Sequence, residues 1–478
     1  MFFNSIDFAI FMPIVFLIYW TFLKTVKKQN YFLLLVSYIF YGWWDWRYLS
    51  LVLLCSITNY LAGLLMTKTN EQKKRKIILI ICCAICFGVL GIFKYYNFFV
   101  NSFVDAFSFF GIKLQAYTLK FILPVGISFY TFHTLSYTID VYRRNFEPTK
   151  DITSFFLFVS IFPLAMAGPI ERATNLLPQI YKKRSFDYNQ TVDGLRQILW
   201  GLFKKVVIAD NCAIIVNQTF ENYQNMPGSS LLIGAIFFAF QIYGDFSGYS
   251  DMALGIGKLL GFRFLHNFNY PYFSRNIAEF WRRWHISLTT WFRDYLYIPL
   301  GGSRVSKWKI VRNTFIIYLV SGFWHGANWT FIAWGLFHAL LFIPLILANK
   351  NRKYINIVAN GRLFPNFKEL KQMLFTFSLV VVGWVFFRAD TITDAIGYLL
   401  LMFRLETLKA SYLIFSNTTF LLCLLMLIIE WLGRNEQYAL AILKNLRKRV
   451  FRYLIYYTIL FLIFLFAEGE NTFIYFQF

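Results

Sequence analysis

The chain has 478 residues, of which 58% are hydrophobic and 15% charged, against about 25% charged in soluble domains. A soluble globular domain is excluded. The net charge of +23, from 47 basic and 24 acidic residues, suggests nucleic acid by size alone, but its placement in short clusters between apolar runs excludes that partner and points to membrane lipid.

Apolar runs recur over residues 5–23, 30–47, 49–66, 77–99, 120–140, 152–170, 192–215, 230–260, 273–300, 313–348, 373–389, 413–433 and 453–467. Most are long enough to cross a hydrocarbon core of about 30 Å. Only helices and closed barrels satisfy their backbone in lipid, and runs such as IILIICCAICFGVLGIF lack the alternation of a barrel strand. The fold class is therefore an all-α integral membrane protein with about 11–14 membrane-embedded helices. The opening MFFNSIDFAIFMPIVFLIYW has no basic n-region and no small-residue cleavage site, so it reads as a retained first span rather than a signal peptide. The run 313–348 is long enough for two passes, broken near Trp324, His325 and Gly326.

Basic clusters fall at Lys24, Lys27 and Lys28, at 73–76, at Arg143 and Arg144, at 182–184, 304–312, 350–371 and 444–452. The positive-inside rule puts these loops in the cytoplasm. Residues 217–230 carry no Lys or Arg and the tail 467–478 is acidic, so both belong outside. Counting crossings between these markers places both termini outside. No separate soluble domain, linker or fixed-period repeat is visible, so residues 1–478 read as one membrane-embedded domain. Within it, 1–119 and 349–478 are apolar scaffold and 120–348 is the core.

The core differs because proline, glycine and polar groups interrupt its apolar runs, in ILPVGISFYTFH, FPLAMAGPIER and QIYGDFSGYSDMALG. Interrupted helices at membrane depth are tolerated where they are buried in protein or line a cavity. That pattern predicts re-entrant segments around a central polar tunnel, with Glu171 and Arg172 at a cytoplasmic-side turn. The six cysteines lie in apolar sequence, and Cys82, Cys83 and Cys86 have no second ligand pair, so neither a metal nor a disulfide is expected.

Two histidines dominate the chemistry. His285 lies in WRRWHISLTTWFRDYLYIPLGGS and His325 in VSGFWHGANWTFIAWGLFHALLF. A polar residue at membrane depth marks a functional site by default, and imidazole accepts a proton near neutral pH. No GxSxG elbow, HExxH, Walker loop or dinucleotide fingerprint is present. What remains is a buried His acting as general base on a hydroxyl that attacks an acyl donor directly. Gly322 and Gly326 relax the helix around His325; the competing reading is a core histidine bonded to a backbone carbonyl. His285 follows Arg282 and Arg283, which either attract an anionic donor or pair with Asp294 or Glu279, and its competing role is a structural hydrogen bond. His338, His133 and His266 rank lower. Asp245, Ser247, Ser250 and Asp251 form a polar knot that shapes the tunnel, with arginines as the expected partners of its carboxylates.

If both histidines serve one reaction, they share a passage that narrows at His325. Trp281, Trp284, Trp324 and Trp329 wall it, and its basic mouth draws on Arg282, Arg283 and 304–312. Asn328, Asp245 and Asp294 complete the candidate tunnel set.

These segments resemble the membrane-bound O-acyltransferase family, in its bacterial polysaccharide branch typified by alginate O-acetylases. The resemblance spans nearly the whole chain: FNSIDFAIFMPIVFLIYW, LPVGISFYTFHTLSYTIDVYR, FPLAMAGPIER, GLFKKVVIADN, YGDFSGYSDMALGIGKLLGF, FWRRWHISLTTWFRDYLYIPLGGSR, SGFWHGANWTFIAWGLFHAL and FIYFQF. It implies a polytopic acyltransferase of the bacterial cytoplasmic membrane, with His325 as the essential catalytic residue and His285 as the second. An acyl group, most often acetyl, passes from a cytoplasmic thioester, either acetyl-CoA or an acyl carrier protein, to a polysaccharide outside. No cofactor is held permanently. Because the chain has no soluble outer domain, an extracytoplasmic acyl-relay or SGNH-type partner is expected. Peptidoglycan O-acetylation and D-alanylation of teichoic acid are the branch's other activities. A transporter or flippase is the rival class; it predicts inverted repeats, which the sequence does not show. A structural subunit of an export complex would leave the two histidine segments unexplained.

Overall fold

Ile6, Ile10, Ile14 and Leu17 lie exposed along one side of helix α1 (Ile6–Thr21), while Phe8, Met12, Val15 and Tyr19 are buried along the other. Both faces are apolar. In water the exposed row would be an aggregation-prone patch; against acyl chains it is the surface a spanning helix must present. Helix α2 (Val26–Asp45) repeats the arrangement, with Tyr31, Leu35 and Ile39 outward and Leu33, Val36 and Phe40 inward.

The computed structural model describes residues 1–120, 122–404, 417–467 and 473–474, and helix is the only regular structure among the described residues. They form two compact units. The first, Met1–Thr191 with Ile256–Leu265, contains α1, α2, α3 (Leu49–Thr67), α4 (Gln72–Leu90), α5 (Tyr96–Phe109), α6 (Ile127–Tyr142), α7 (Ile152–Ser160) and α8 (Ala173–Tyr181). The second, Val192–Gly255 with His266–Phe478, holds most of α9 (Tyr188–Leu202) and of α11 (Gly228–Leu259). It also holds α10 (Asp210–Glu221), α12 (Ile277–Arg283), α13 (Ile286–Phe292), α14 (Lys307–His325), α15 (Trp329–Leu347), α16 (Phe367–Arg388), α17 (Ile392–Met402), α18 (Asn417–Gly433) and α19 (Arg449–Leu465). The division at Thr191 falls inside the stretch 120–348 that the sequence groups as the core.

Five helical stretches are long and apolar enough to cross a membrane: Val26–Thr67, Gln72–Phe109, Gly228–Leu259, Trp329–Leu347 and Phe367–Arg388. The protein is thus a polytopic helical membrane protein. Three predicted spans break up. In 152–170 only α7 is helical; Pro163 and Pro169 remove backbone donors, and residues 161–171 continue as buried irregular chain. Its end is anchored by Glu171, whose carboxylate accepts the Leu265 amide and, at 2.7 Å, the Asn175 side chain. The run 192–215 is α9, a π-helical stretch at 203–209, and α10. The run 273–300 is two seven-residue helices, α12 and α13, and a further π turn at 293–297. Helices α8 and α17 escaped the apolar-run reading because they are short; α17 is announced only by Thr391, whose hydroxyl caps the Asp394 amide. The predicted span 413–433 begins outside the described residues, and so does nearly all of the tail 467–478.

Candidate active site

Helix α14 stops at His325 because Gly326 is fully extended (φ −158°, ψ 152°), and α15 restarts three residues later under Asn328, whose side chain accepts the Thr330 amide at 3.0 Å. The two helices then run back tightly against each other. Gly322 faces the Phe331 carbonyl and Gly335 the Tyr318 carbonyl, where any side chain would collide. This hairpin fixes His325 at its closed end, 3% exposed. The imidazole packs edge-on against Trp334 (5.1 Å, 88°), Trp324 (5.1 Å) and Phe387 (5.5 Å).

His285 occupies the joint between α12 and α13 in the left-handed region, at φ 43° and ψ 54°. A non-glycine residue there costs about 1–2 kcal/mol and is held by its surroundings. The flanking peptides are bonded to the segment 267–269: Ile286 N donates to Asn267 O at 2.9 Å, and Asn269 N to Arg283 O at 3.0 Å. The ring, 1% exposed, stands edge-on to Phe246 of α11 at 4.7 Å. Its centroid lies 5.9 Å from Trp324 and 6.1 Å from His325. That separation exceeds direct hydrogen-bond reach yet allows one oxygen atom to approach both rings.

The structure therefore brings His285, His325 and Trp324 together and engages the other candidates elsewhere. Arg283 pairs with Glu279 at 2.9 Å and donates to the Asn269 carbonyl; Glu279 is fully buried and also holds Arg275. Arg282 donates to the carbonyls of Asn351 and Tyr354, both at 2.6 Å. Asp294 pairs with its exposed neighbour Arg293. Asn328 caps α15 and donates to Asp390 O at 2.8 Å. Trp284 stacks on Phe280 and packs 4.9 Å from Trp384.

Two expectations are corrected. Trp329 is 53% exposed, and Trp334, Phe387 and Phe246 join Trp324 in walling the imidazoles instead. Both rings are buried among aromatic side chains, 1% and 3% exposed, where the sequence predicts a shared open passage.

The polar knot on α11 also departs from expectation. Its carboxylates pair with lysines, which the π-helical stretch at 203–209 presents in succession. Lys204 holds Asp251 at 2.6 Å and Ser247 at 2.8 Å, and Lys205 bridges Asp210 at 2.8 Å and Asp245 at 2.9 Å. Asp245 further accepts the Ile474 amide at 2.6 Å. A cavity of about 20 Å³, room for about one water, is lined by Lys204, Ser250, Asp251, Asn267 and Glu430; neither imidazole lines it. Sequence reading missed Asn267, Lys204 and Glu430. The KK pair in GLFKKVVIADN was the available signal for Lys204, while Asn267 and Glu430 carried none without their neighbours in space. His338 packs edge-on to Trp334 and Trp281, each at 5.1 Å, so Trp334 lies against both His325 and His338. His133 belongs to the first unit, against Phe158.

A polytopic helical membrane protein with two buried imidazoles meeting at helix breaks is the class this architecture defines. The chain belongs to the membrane-bound O-acyltransferase family, whose profile matches residues 38–371 and so includes both histidine segments; it is an O-acyltransferase. It is 39% identical over 443 residues to the probable alginate O-acetylase AlgI of Pseudomonas aeruginosa, covering 91% of this chain and 82% of that one. It is 33% identical to the peptidoglycan O-acetyltransferase of Helicobacter pylori, covering 98% and 95%. With the teichoic acid D-alanyltransferase of Bacillus subtilis it shares 27% over 55% of this chain and 68% of that one.

Proposed function

We propose that the protein transfers an acetyl group from a cytoplasmic thioester, acetyl-CoA or an acyl carrier protein, to hydroxyls of a cell-surface or secreted polysaccharide, working in the bacterial cytoplasmic membrane. The observation that carries this reading is the meeting of His285 and His325 at 6.1 Å on two separate helix breaks. His325 takes the proton of the acceptor hydroxyl as its oxygen attacks the thioester carbonyl. The C–S bond breaks, and the imidazolium returns the proton to the departing thiolate, leaving an ester and a free thiol. His285 holds the same oxygen or the carbonyl from the other side. The aromatic wall excludes water, which would otherwise hydrolyse the thioester. Where an extracytoplasmic partner of acyl-relay or SGNH type takes part, the hydroxyl that attacks the thioester is that partner's, and the glycan hydroxyl then displaces it from the partner's ester.

Acetyl transfer is favoured by the names and coverage of the two relatives with the highest coverage quoted above, both O-acetylases. The alignment over 98% of the chain with a peptidoglycan enzyme supports a second reading, in which murein is the acceptor. One experiment addresses both. Surface polysaccharide and murein are analysed for O-acetyl groups by mass spectrometry, from cells carrying the chain, lacking it, or carrying His325→Ala. Loss of acetyl from one fraction in both of the last two, at unchanged membrane level of the variant, is the expected result. A fully active, well-inserted His325→Ala protein would refute the base assignment, and acetyl loss confined to murein would replace the first acceptor by the second.

A further inference from the structure

We propose that Asn267 is a positioning residue for His285: from a distant segment it ties the first turn of α13 to α11 and so holds the backbone that aims the imidazole at His325. The proposal rests on the reading of His285 as part of the acyl-transfer site.

A residue at the N-cap of a helix normally has extended backbone and turns its side chain back onto the first free amides. His285 is the N-cap of α13, yet its backbone is left-handed and its side chain makes no capping hydrogen bond. What holds the start of α13 is Asn267, which is fully buried. Its carbonyl accepts the Ile286 amide at 2.9 Å, and its side-chain oxygen accepts the Ser287 hydroxyl at 2.6 Å. Its side-chain nitrogen donates to Ser250 Oγ on α11 at 3.1 Å. Ser250 lies one turn beyond Phe246, so α11 grips His285 twice: through the phenyl ring on the imidazole, and through Ser250 and Asn267 on the backbone that follows it. On the preceding side Asn269 N binds Arg283 O, while Arg283 Nη1 returns to Asn269 O at 3.1 Å.

The left-handed backbone sets the direction of the His285 Cα–Cβ bond and hence the 6.1 Å approach of its ring to His325. Without the Asn267 side chain, the first turn of α13 loses its tie to α11 and the joint is free to relax toward an ordinary backbone, which swings the ring away. A displacement of about 1 Å in a reacting constellation costs on the order of 10²-fold in rate. Asn suits this position because it needs both an acceptor for Ser287 and a donor for Ser250, one on each side of a planar group.

The test uses the full chain in cells that lack their own copy, reading the initial rate of O-acetyl appearance in the surface glycan per unit of membrane-inserted protein. Asn267→Ala and Ser287→Ala, which cut the same hydrogen bond from its two ends, are each expected to lower that rate by about 10- to 100-fold. The double variant is expected to be no slower than the slower single one. Asn267→Asp keeps an acceptor on Ser287 and should recover at least about tenfold over Asn267→Ala. Thermal midpoints of the purified variants should not track these rates. If Asn267→Ala does not accumulate, Ser287→Ala decides alone. The proposal is overturned if the single variants act within about twofold of wild type, if their losses multiply in the double variant, or if Asp rescues nothing. His285→Ala separates the two claims. Full activity there removes the reading on which the proposal rests, whereas a strong loss there beside a silent Asn267→Ala removes the proposal and leaves the reading standing.

Discussion

At the scale of single residues, the two histidines illustrate different degrees of legibility. His325 announces itself because glycine follows it and another precedes it by three, so a helix break is written locally. His285 sits in WRRWHISL, where no glycine, proline or asparagine marks a turn, and the segment 273–300 therefore reads as one continuous run. Its left-handed backbone is imposed by residues 267–269, whose identity as neighbours exists only in the folded chain. This separates a backbone cost from a side-chain function. His285→Gly and His285→Ala both remove the imidazole and are both expected to lose glycan acetylation. Glycine, however, adopts φ 43° without strain, so the Gly variant should be the more stable of the two by about 1 kcal/mol. Thermal unfolding of the two purified proteins measures the difference; an Ala variant as stable as Gly would mean that the joint relaxes freely and that its conformation is not enforced.

At the scale of elements, most helices with a sustained apolar run were readable, and the exceptions share one cause. Apolar periodicity reports burial in lipid or protein, not hydrogen bonding, so it cannot separate a spanning helix from buried irregular chain such as 161–171 or from the short helices α12 and α13. The break between α14 and α15 was visible because glycine and asparagine encode it directly. The hairpin beyond it depends on close approach rather than on hydrophobicity. Gly322 has no room for a Cβ against the Phe331 carbonyl, a rigid neighbour that cannot swing aside. Gly322→Ala should destabilise the protein by about 1–3 kcal/mol, seen as a lower thermal midpoint. Because the same contact holds His325 at the hairpin end, acetylation should fall by more than the loss of folded protein explains. A Gly322→Ala protein with wild-type midpoint and activity would show that the hairpin is loosely packed and does not position the imidazole.

At the scale of the molecule, the second unit has two chemically distinct ends. At one, Arg388 donates to Asn217 of α10, Tyr223 to Asp394, and Asn328 to the Asp390 carbonyl, gathering the end of α10 and the 222–227 connection, which have no lysine or arginine, beside the turn that follows His325. At the other, Arg275, Arg282 and Arg434 bind carbonyls of the 349–362 connection, which itself carries Lys350, Arg352, Lys353 and Arg362. Helix α14 has 19 residues and so spans about 28 Å between the ends, close to the thickness of a bilayer core. An excess of positive charge favours the cytoplasmic side, which would set the arginine-clamped connection inside, on the side of the proposed thioester donor, and His325 toward the outer surface, on the side of the proposed glycan acceptor. Cysteine labelling tests this orientation. Asn225→Cys, exposed in the lysine-free connection, should react with a membrane-impermeant maleimide in intact spheroplasts, whereas Arg352→Cys, exposed in the basic connection, should react only after permeabilisation. The six native cysteines are buried or half-buried, so the unsubstituted chain gives the background. Labelling of Arg352→Cys from outside, with Asn225→Cys protected, would invert the molecule and place His325 at the face where the donor enters. The wall of Trp324, Trp334 and Phe387 would then guard the thioester from the cytoplasm rather than seal the site against the water outside.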